Sequence, residues 1–395
     1  MSSVVTPQEQ VVVADAVRSP LGIPGQGTVS GIRPWALLAQ TAWGLLDRTR
    51  LEPGLVTQVL VAGGPACERT AGEASAHMGI HAPVLAPCDA ASVRGSVLPA
   101  AARAVGSHDV VLVLATSHAS PASTTDSDRR VREAELLAAR WGLLRSELDA
   151  YAELSRERAR EVSAMGEFAP EIIPAVAWSH QSRVVVTSDE TIGTTAAAAD
   201  PYALGAGPGR RLHRENVSRP AAGAAAALLL GADRAAELGL RPRARILAFA
   251  EDTIGAKSPG SSPLAASRTL FAGSGLDPND LDHYEVEERF SSVPLAWQRA
   301  FAADLDRFNP RSGSLGLGDP GPASGLRSLA TMLSALEATG GRLALHASEG
   351  SAGTGEALLL EHLPHICCSH EVLGLDAVRT QRPALVRDPS PTPIP

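Results

Sequence analysis

The sequence predicts an α/β protein built from two similar halves, and three observations carry that expectation. Short apolar runs with strand character alternate with segments of helical apolar spacing. A nine-residue pattern recurs more than two hundred residues apart. A chain of 395 residues, 44% of them hydrophobic, is long enough for more than one core.

Val11 to Ala14 reads as a short buried strand. Trp35 to Leu46 repeats apolar residues at helical spacing, and Val59 to Ala62 is strand-like before Gly63 and Gly64. Ala100 to Val105 is Ala-rich and helical, and Val110 to Leu114 is a further buried β run. This alternation predicts parallel βαβ units with helices on both faces. The repeat joins Leu51-Glu-Pro-Gly-Leu-Val-Thr-Gln-Val59 to Leu276-Asp-Pro-Asn-Asp-Leu-Asp-His-Tyr284. Each copy follows a helix and leads into a strand (Val59 to Ala62, Tyr284 to Val286), which suggests two related α/β halves.

Residues 119–213 differ in character and read as an insertion on the first half. They hold a charged helix-like stretch, Asp126 to Ala164, and Gly- and Ala-rich loops such as Ala196 to Gly209. After Leu363 the pattern becomes irregular, and Asp388 to Pro395 has four prolines in eight residues, the composition of a disordered tail.

The formal net charge is -8, with arginines scattered singly rather than gathered in an arm or stripe, which argues against a nucleic-acid partner. The longest apolar runs, such as Ala224 to Gly231, fall far short of the roughly 20 residues of a membrane span. Met1 to Gln10 is polar and lacks the pattern of a secretory signal. Cys67, Cys88, Cys367 and Cys368 have no metal-ligand spacing, and the adjacent pair makes a poor disulfide framework. The expectation is a cytoplasmic protein with no bound metal or resident cofactor.

Several segments, in order, resemble the thiolase family from about Val11 to Leu363. Ala16-Val-Arg-Ser-Pro20 looks like its opening strand and loop. Ser146-Glu-Leu-Asp-Ala-Tyr-Ala152, with Ser155, Arg158 and Ala159, resembles its loop-domain helix. Asn216-Val-Ser218 with Gly223-Ala-Ala-Ala226 resembles its Asn-x-Ser…Gly-Ala-Ala-Ala segment, and Asn309 to Arg327 follows its Gly-rich catalytic loop. Gly340-Gly-Arg342 and Gly353-Thr-Gly355 fit the last motif. The resemblance implies a duplicated, five-layered αβαβα fold with a loop-domain insertion. The halves would span 9–253, with the insertion at about 119–213, and 254–364, leaving a tail at 365–395. It also implies a dimer or larger oligomer, homomeric or with a thiolase-like partner, acting on acyl-CoA or acyl-carrier thioesters. Asn216 and Ser218 would then belong to a pocket for coenzyme A or its pantetheine arm.

The resemblance also says what this chain lacks. The family's nucleophilic cysteine falls on Ala91, with Ser92 as the one-residue alternative, in Cys88-Asp-Ala-Ala-Ser-Val-Arg-Gly95. Its Asn-Glu-Ala-Phe becomes Glu287-Glu-Arg-Phe290, its Gly-His-Pro becomes Gly318-Asp-Pro320, and its Cys-x-Gly becomes Glu349-Gly-Ser351. Ionised Glu287 and Asp319 only accept hydrogen bonds and would repel the oxyanion that the family stabilises. Ala91 cannot be acylated, and Ser92 needs a base. Glu287, Asp319 and Glu349 should meet, with at least one carboxyl raised, unless Arg94, Arg289, Arg327 or a hard cation such as Mg²⁺ neutralises them. Cys88 as a displaced nucleophile, and His118 or His346 as a relocated base, are alternatives to small or structural buried roles. Two classes remain: an enzyme running a different acyl-thioester reaction, and a non-catalytic subunit that assembles with an active thiolase or synthase.

Overall fold

The computed structural model describes residues 4–7, 10–86, 97–117, 124–179, 182–193, 210–252, 262–349 and 354–364. The expected tail, 365–395, lies outside them. In chain order the first elements are β1 (Val4–Val5), β2 (Val11–Arg18), α1 (Pro34–Thr49), β3 (Gln58–Val61), α2 (Pro65–His77), β4 (Val84–Leu85), α3 (Val97–Ala104) and β5 (Val110–Thr116). The insertion follows with α4 (Thr124–Arg140), α5 (Arg145–Ala164) and a hairpin of β6 (Ala175–Ser179) and β7 (Ser182–Val186). Then come β8 (Ala224–Gly231), α6 (Ala232–Glu237), β9 (Ala244–Asp252), α7 (Ser262–Ser274), β10 (His283–Val286) and α8 (Ser292–Phe301). The last are α9 (Ser314–Leu317), α10 (Ser324–Thr339), β11 (Leu343–Glu349) and β12 (Gly355–His362).

The strands run in the order β10-β11-β12-β9-β2-β8-β5-β3-β4, with β1 beside β9. Two lobes of this sheet meet where β2 and β9 share only Val12↔Arg245 and Val13↔Ala244. Alternating side chains on each strand enter different cores, as the period of two requires. Val111, Val113 and Ala115 of β5 face the same core as Leu98 of α3 and Leu326, Leu329 and Leu333 of α10. Val110, Leu112 and Leu114 face the core of α1 and α2. In β11 and β12, Ala344 and Leu358 face α10, while Leu345 and Leu359 join the core of α7 and α8 around Trp297. Helix, sheet, helix, sheet and helix thus stack as the αβαβα arrangement. α10 is the middle layer: every residue from Leu326 to Leu336 is buried, the mark of a helix with no solvent face.

The sheet is mixed, which corrects the expectation of parallel βαβ units throughout. β3 runs parallel to β4 and β5, and β10 to β11. β8 lies antiparallel between β2 and β5, and β12 antiparallel between β11 and β9. Only five residues separate β11 from β12, too few for the crossover that parallel neighbours need. The first half was expected to end at residue 253; its last strand, β9, pairs with β12 over eight residues and with β2 over two.

Both copies of the Leu-x-Pro pattern form the same local structure. Pro53–Leu55 and Pro278–Asp280 are single 3-10 turns that open on proline, each after a helix and before a strand. The charged stretch from Asp126 to Ala164 is two helices rather than one. The chain turns at Gly142, where φ is +61°, and the Leu144 N–H donates to the Glu147 carboxylate at 2.7 Å to restart it.

Candidate functional site

The ends of β10 and β11 and the loop before α10 build the site. Beyond Val286 the chain is clamped by Asn309, whose Oδ1 accepts from the Val286 N–H and whose Nδ2 donates to the Val286 carbonyl, both at 2.8 Å. The Glu287 N–H then donates to the Ala347 carbonyl at 2.9 Å, so extended pairing with β11 continues one residue past the strand. Extended backbone sends alternate side chains to opposite sides. Glu287 and Arg289 therefore share one side, and Glu288 faces the other, accepting from Tyr151 Oη (2.7 Å), Ser155 Oγ (2.6 Å) and Asn309 Nδ2 (2.8 Å). The loop holding Asp319 is pinned to 219–221: the Asp319 N–H donates to the Arg219 carbonyl at 2.7 Å, and its carbonyl accepts from the Ala221 N–H at 2.8 Å. Gly318 at φ +96° permits this approach, since a Cβ there would stand 2.9 Å from that of Ala221.

Glu287, Asp319 and Glu349 meet, as the sequence suggested, but not as bare carboxylates. Arg289 lies between two of them, with Nη2 at 3.2 Å from Glu287 Oε1 and Nε donating to Asp319 Oδ2 at 2.8 Å. Glu287 Oε2 accepts from the Glu349 N–H at 2.5 Å, and Asp319 Oδ1 accepts from the Gly321 N–H at 2.8 Å and from the Ser324 hydroxyl. Arg130 Nη1 stands 3.7 Å from Glu349 Oε2, reaching in from α4. Side-chain exposure is only 7% for Glu287, 11% for Asp319 and 13% for Glu349.

Three carboxyls facing two guanidiniums leave one negative charge in excess, and burial makes that charge costly. Burial first, then Glu349 and Asp319, pushes Glu287 up to about 8. Burial also raises Asp319, opposed by its bonds from Ser324 and Gly321. At neutral pH, the protonated form of Glu287 is therefore favoured, which lowers the negative charge held between Arg289 and Arg130.

Ala91, Ser92, Cys88, Arg94 and His118 lie outside the described residues. Asn216 is buried and committed: Nδ2 donates to Asp149 Oδ1 and the Arg211 carbonyl, and Oδ1 accepts from the His213 N–H. The Ser218 N–H donates to the Arg289 carbonyl, which puts it next to the cluster, and its buried hydroxyl has no partner among the described residues. His346 is buried against Ser328 at 2.6 Å, and burial followed by the charge of Arg327 pushes it down to about 3, which leaves its imidazole uncharged at neutral pH. No group of three or more His, Cys, Asp or Glu among the described residues is arranged to hold a metal ion. Arg130 was missed by sequence reasoning. It sits in a helix with many charges, and nothing local marks it as the one that points inward.

The sequence matches the family models for the thiolase C-terminal domain over residues 240–362 and the thiolase N-terminal domain over residues 128–232. The chain belongs to the thiolase superfamily. A steroid 3-ketoacyl-CoA thiolase of Mycobacterium tuberculosis is 29% identical over 386 residues, 89% of this chain and 94% of the relative. The acetyl-CoA acetyltransferase of Paracoccus denitrificans is 33% identical over 230 residues, 58% of this chain and 59% of the relative. The acetyl-CoA acetyltransferase of Bacillus anthracis has the same fold, with a TM-score of 0.78 at 22% identity, covering 91% of this chain and all of that one. Human mitochondrial 3-ketoacyl-CoA thiolase superimposes with a TM-score of 0.77 at 22% identity, covering 90% and 99%. This chain is therefore a thiolase-family, acyl-CoA acetyltransferase-like protein. Among the described residues, no helix is long and apolar enough to cross a membrane.

Proposed function

We propose that this chain retains the thiolase frame without thiolysis or Claisen condensation, and serves as a non-catalytic thiolase-like subunit in the cytoplasm. It would assemble as a homodimer or with an active thiolase-like partner, and act alongside acyl-CoA or acyl-carrier thioesters, the compound class that the relatives' names point to. The observation that carries this reading is the internal commitment of the cluster. Both oxygens of Asp319 and both of Glu287 already contact protein groups, with Arg289 seated between them. Thiolase chemistry needs hydrogen-bond donors aimed at a developing oxyanion, and loss of one such donor costs about 2.7–4 kcal/mol of barrier. Here the donors are spent on the protein's own carboxylates.

The test combines turnover with mass. Purified protein incubated with acetyl-CoA, acetoacetyl-CoA and acyl-carrier donors should show no thiolysis, no condensation and no acyl adduct on the intact chain. Native mass spectrometry should show a dimer or a heteromer. Turnover above background would reject the reading.

One observation favours an enzyme instead. Burial and the neighbouring carboxyls push Glu287 up to about 8, and a carboxyl protonated at neutral pH is what an acid catalyst for a different acyl-thioester reaction needs. A stable acyl adduct on Ser92 would decide for that second reading.

A further inference from the structure

The first turn of α10 is fastened at two points. At its start the Ser324 hydroxyl donates to Asp319 Oδ1, and one turn on Ser328 Oγ lies 2.6 Å from Nε2 of His346 on β11. Ser324, Ser328 and His346 are all buried, His346 with only 1% exposure. The imidazole shares its side of β11 with Ala344, which packs with Leu326, Leu329 and Leu333 of α10 in an apolar core. A titratable ring is thus set where a sheet and a fully covered helix meet.

Ser328 has one hydroxyl proton and two neighbours, because its Oγ is also 3.0 Å from the Gly325 carbonyl. The carbonyl can only accept, so the hydroxyl donates to it, and the contact with His346 is completed by a proton on Nε2. Nδ1 of that neutral ring carries no proton. It is buried and has no hydrogen-bond partner among the described residues. An acid proton would therefore add a charge and a donor where neither is met. The charged and titratable groups on the elements around the ring are Arg327 on α10, Glu285 and His283 on β10, Glu349 on β11, Glu356 on β12 and Asp319 before α10. Arg327, the residue before Ser328, is a permanent cation. Glu285 is the cross-strand neighbour of His346, but it is already engaged, with Oε2 3.0 Å from His283 Nε2 and Oε1 3.9 Å from Arg327 Nη1. Glu356 accepts from the Ser348 hydroxyl, Asp319 from Arg289, and Glu349 faces Arg130. No carboxylate among them is placed as a counterion for His346 alone.

We propose that His346 and Ser328 form an acid-sensitive catch: the neutral imidazole holds the first turn of α10 to β11, and its protonation frees that turn together with the Ser324–Asp319 bond. The direction of titration agrees. Burial, then the charge of Arg327, pushes His346 down from 6.5 to about 3, against the Gly325 carbonyl. An opened chain takes up this proton near 6.5 and the closed one only near 3, so the hold is whole above 6.5 and weakens as pH falls below it. At pH 5 opening is favoured by roughly thirtyfold over its value at high pH. The catch goes beyond the non-catalytic reading and does not depend on it. Thiolysis by this protein would sink that reading and leave the catch as it is.

The experiment is hydrogen exchange of the full chain, read by mass spectrometry on peptides spanning 322–332 and corrected for intrinsic rates. Wild type is compared with His346→Gln at pH 7, 6 and 5. Gln keeps an N–H to donate to Ser328 and takes no proton in this range. From pH 7 to pH 5, wild-type protection should fall by about tenfold to thirtyfold relative to that of the variant. The buried carboxyls titrate in both proteins, so the difference belongs to His346. Equal changes in the two proteins, whether both fall or both stay level, overturn the proposal. If His346→Gln does not fold, NMR of the wild-type imidazole decides. The ring should stay neutral at pH 5 in the closed chain, and a His346 charged there with α10 still protected overturns the catch equally.

Discussion

Replacing Glu287 with Gln tests the charge balance of the cluster directly. Gln keeps the shape and an oxygen to accept the Glu349 N–H, and it mimics the protonated acid. A free Glu releases its proton near 4.5, whereas burial and two neighbouring carboxyls hold this one to about 8. Below pH 4.5 both folded and unfolded chains carry the proton, so wild type and variant should be equally stable. From there to about pH 8 the unfolded chain alone has released it, and wild-type stability falls as pH rises. At about 1.4 kcal/mol per pH unit, the ceiling on that loss is about 5 kcal/mol. Arg289, at 3.2 Å, offsets part of the charge that forms, and the expected loss is about 1–3 kcal/mol. Urea unfolding of both proteins at pH 5, 6, 7 and 8 measures it. The midpoint of Glu287→Gln should be nearly level with wild type at pH 5 and clearly higher at pH 8. Curves that stay parallel, or a variant that falls further behind as pH rises, would show that Glu287 is ionised and paired in the folded protein, and the reasoning would be refuted.

Other outcomes follow from the same geometry. Asp319→Ala strips Arg289 of its closest carboxylate in a buried setting and should cost about 3–5 kcal/mol in urea unfolding, with Asp319→Asn costing less. Tyr151→Phe removes a hydrogen bond to the buried Glu288 carboxylate and should lower stability by about 1.5–3 kcal/mol. Gly355→Ala would put a methyl 2.0 Å from the Ser262 carbonyl oxygen and should cost more than about 2 kcal/mol or prevent folding, read from melting temperature and soluble yield. Trp297→Ala, which empties the centre of the α7–α8 core, should cost about 3–5 kcal/mol.

Much of the fold was legible because it depends on local patterns. Val110 to Leu114 is apolar on consecutive residues, which fits a strand buried on both faces, and that is what β5 is. The two Leu-x-Pro copies were readable because in each a proline opens a single 3-10 turn between a helix and a strand. Strand direction was less accessible. Whether β8 lies parallel or antiparallel to β5 depends on neighbours more than a hundred residues apart, and no local periodicity records it. The site followed the same division. Arg289 could be named as a candidate counter-charge for the acids, but the entry of Arg130 from α4 depends on how the insertion docks. Asn216 was named through the family's Asn-x-Ser segment, and its bonds to Asp149, Arg211 and His213 come from the way the insertion docks, which no local pattern records.

The complete burial of α10 has a consequence for synthesis. The inner face of the first sheet lobe, with Leu60, Val111, Val113 and Leu229, is covered in large part by Leu326, Leu329 and Leu333 of that helix. On the ribosome β8 is complete at residue 231, and α10 does not end until residue 339. At about 5–20 residues per second, that apolar face waits roughly 5–20 seconds for its cover. The nascent chain is sticky throughout that interval, and a ribosome stall anywhere in it would release an aggregation-prone fragment rather than a folded half.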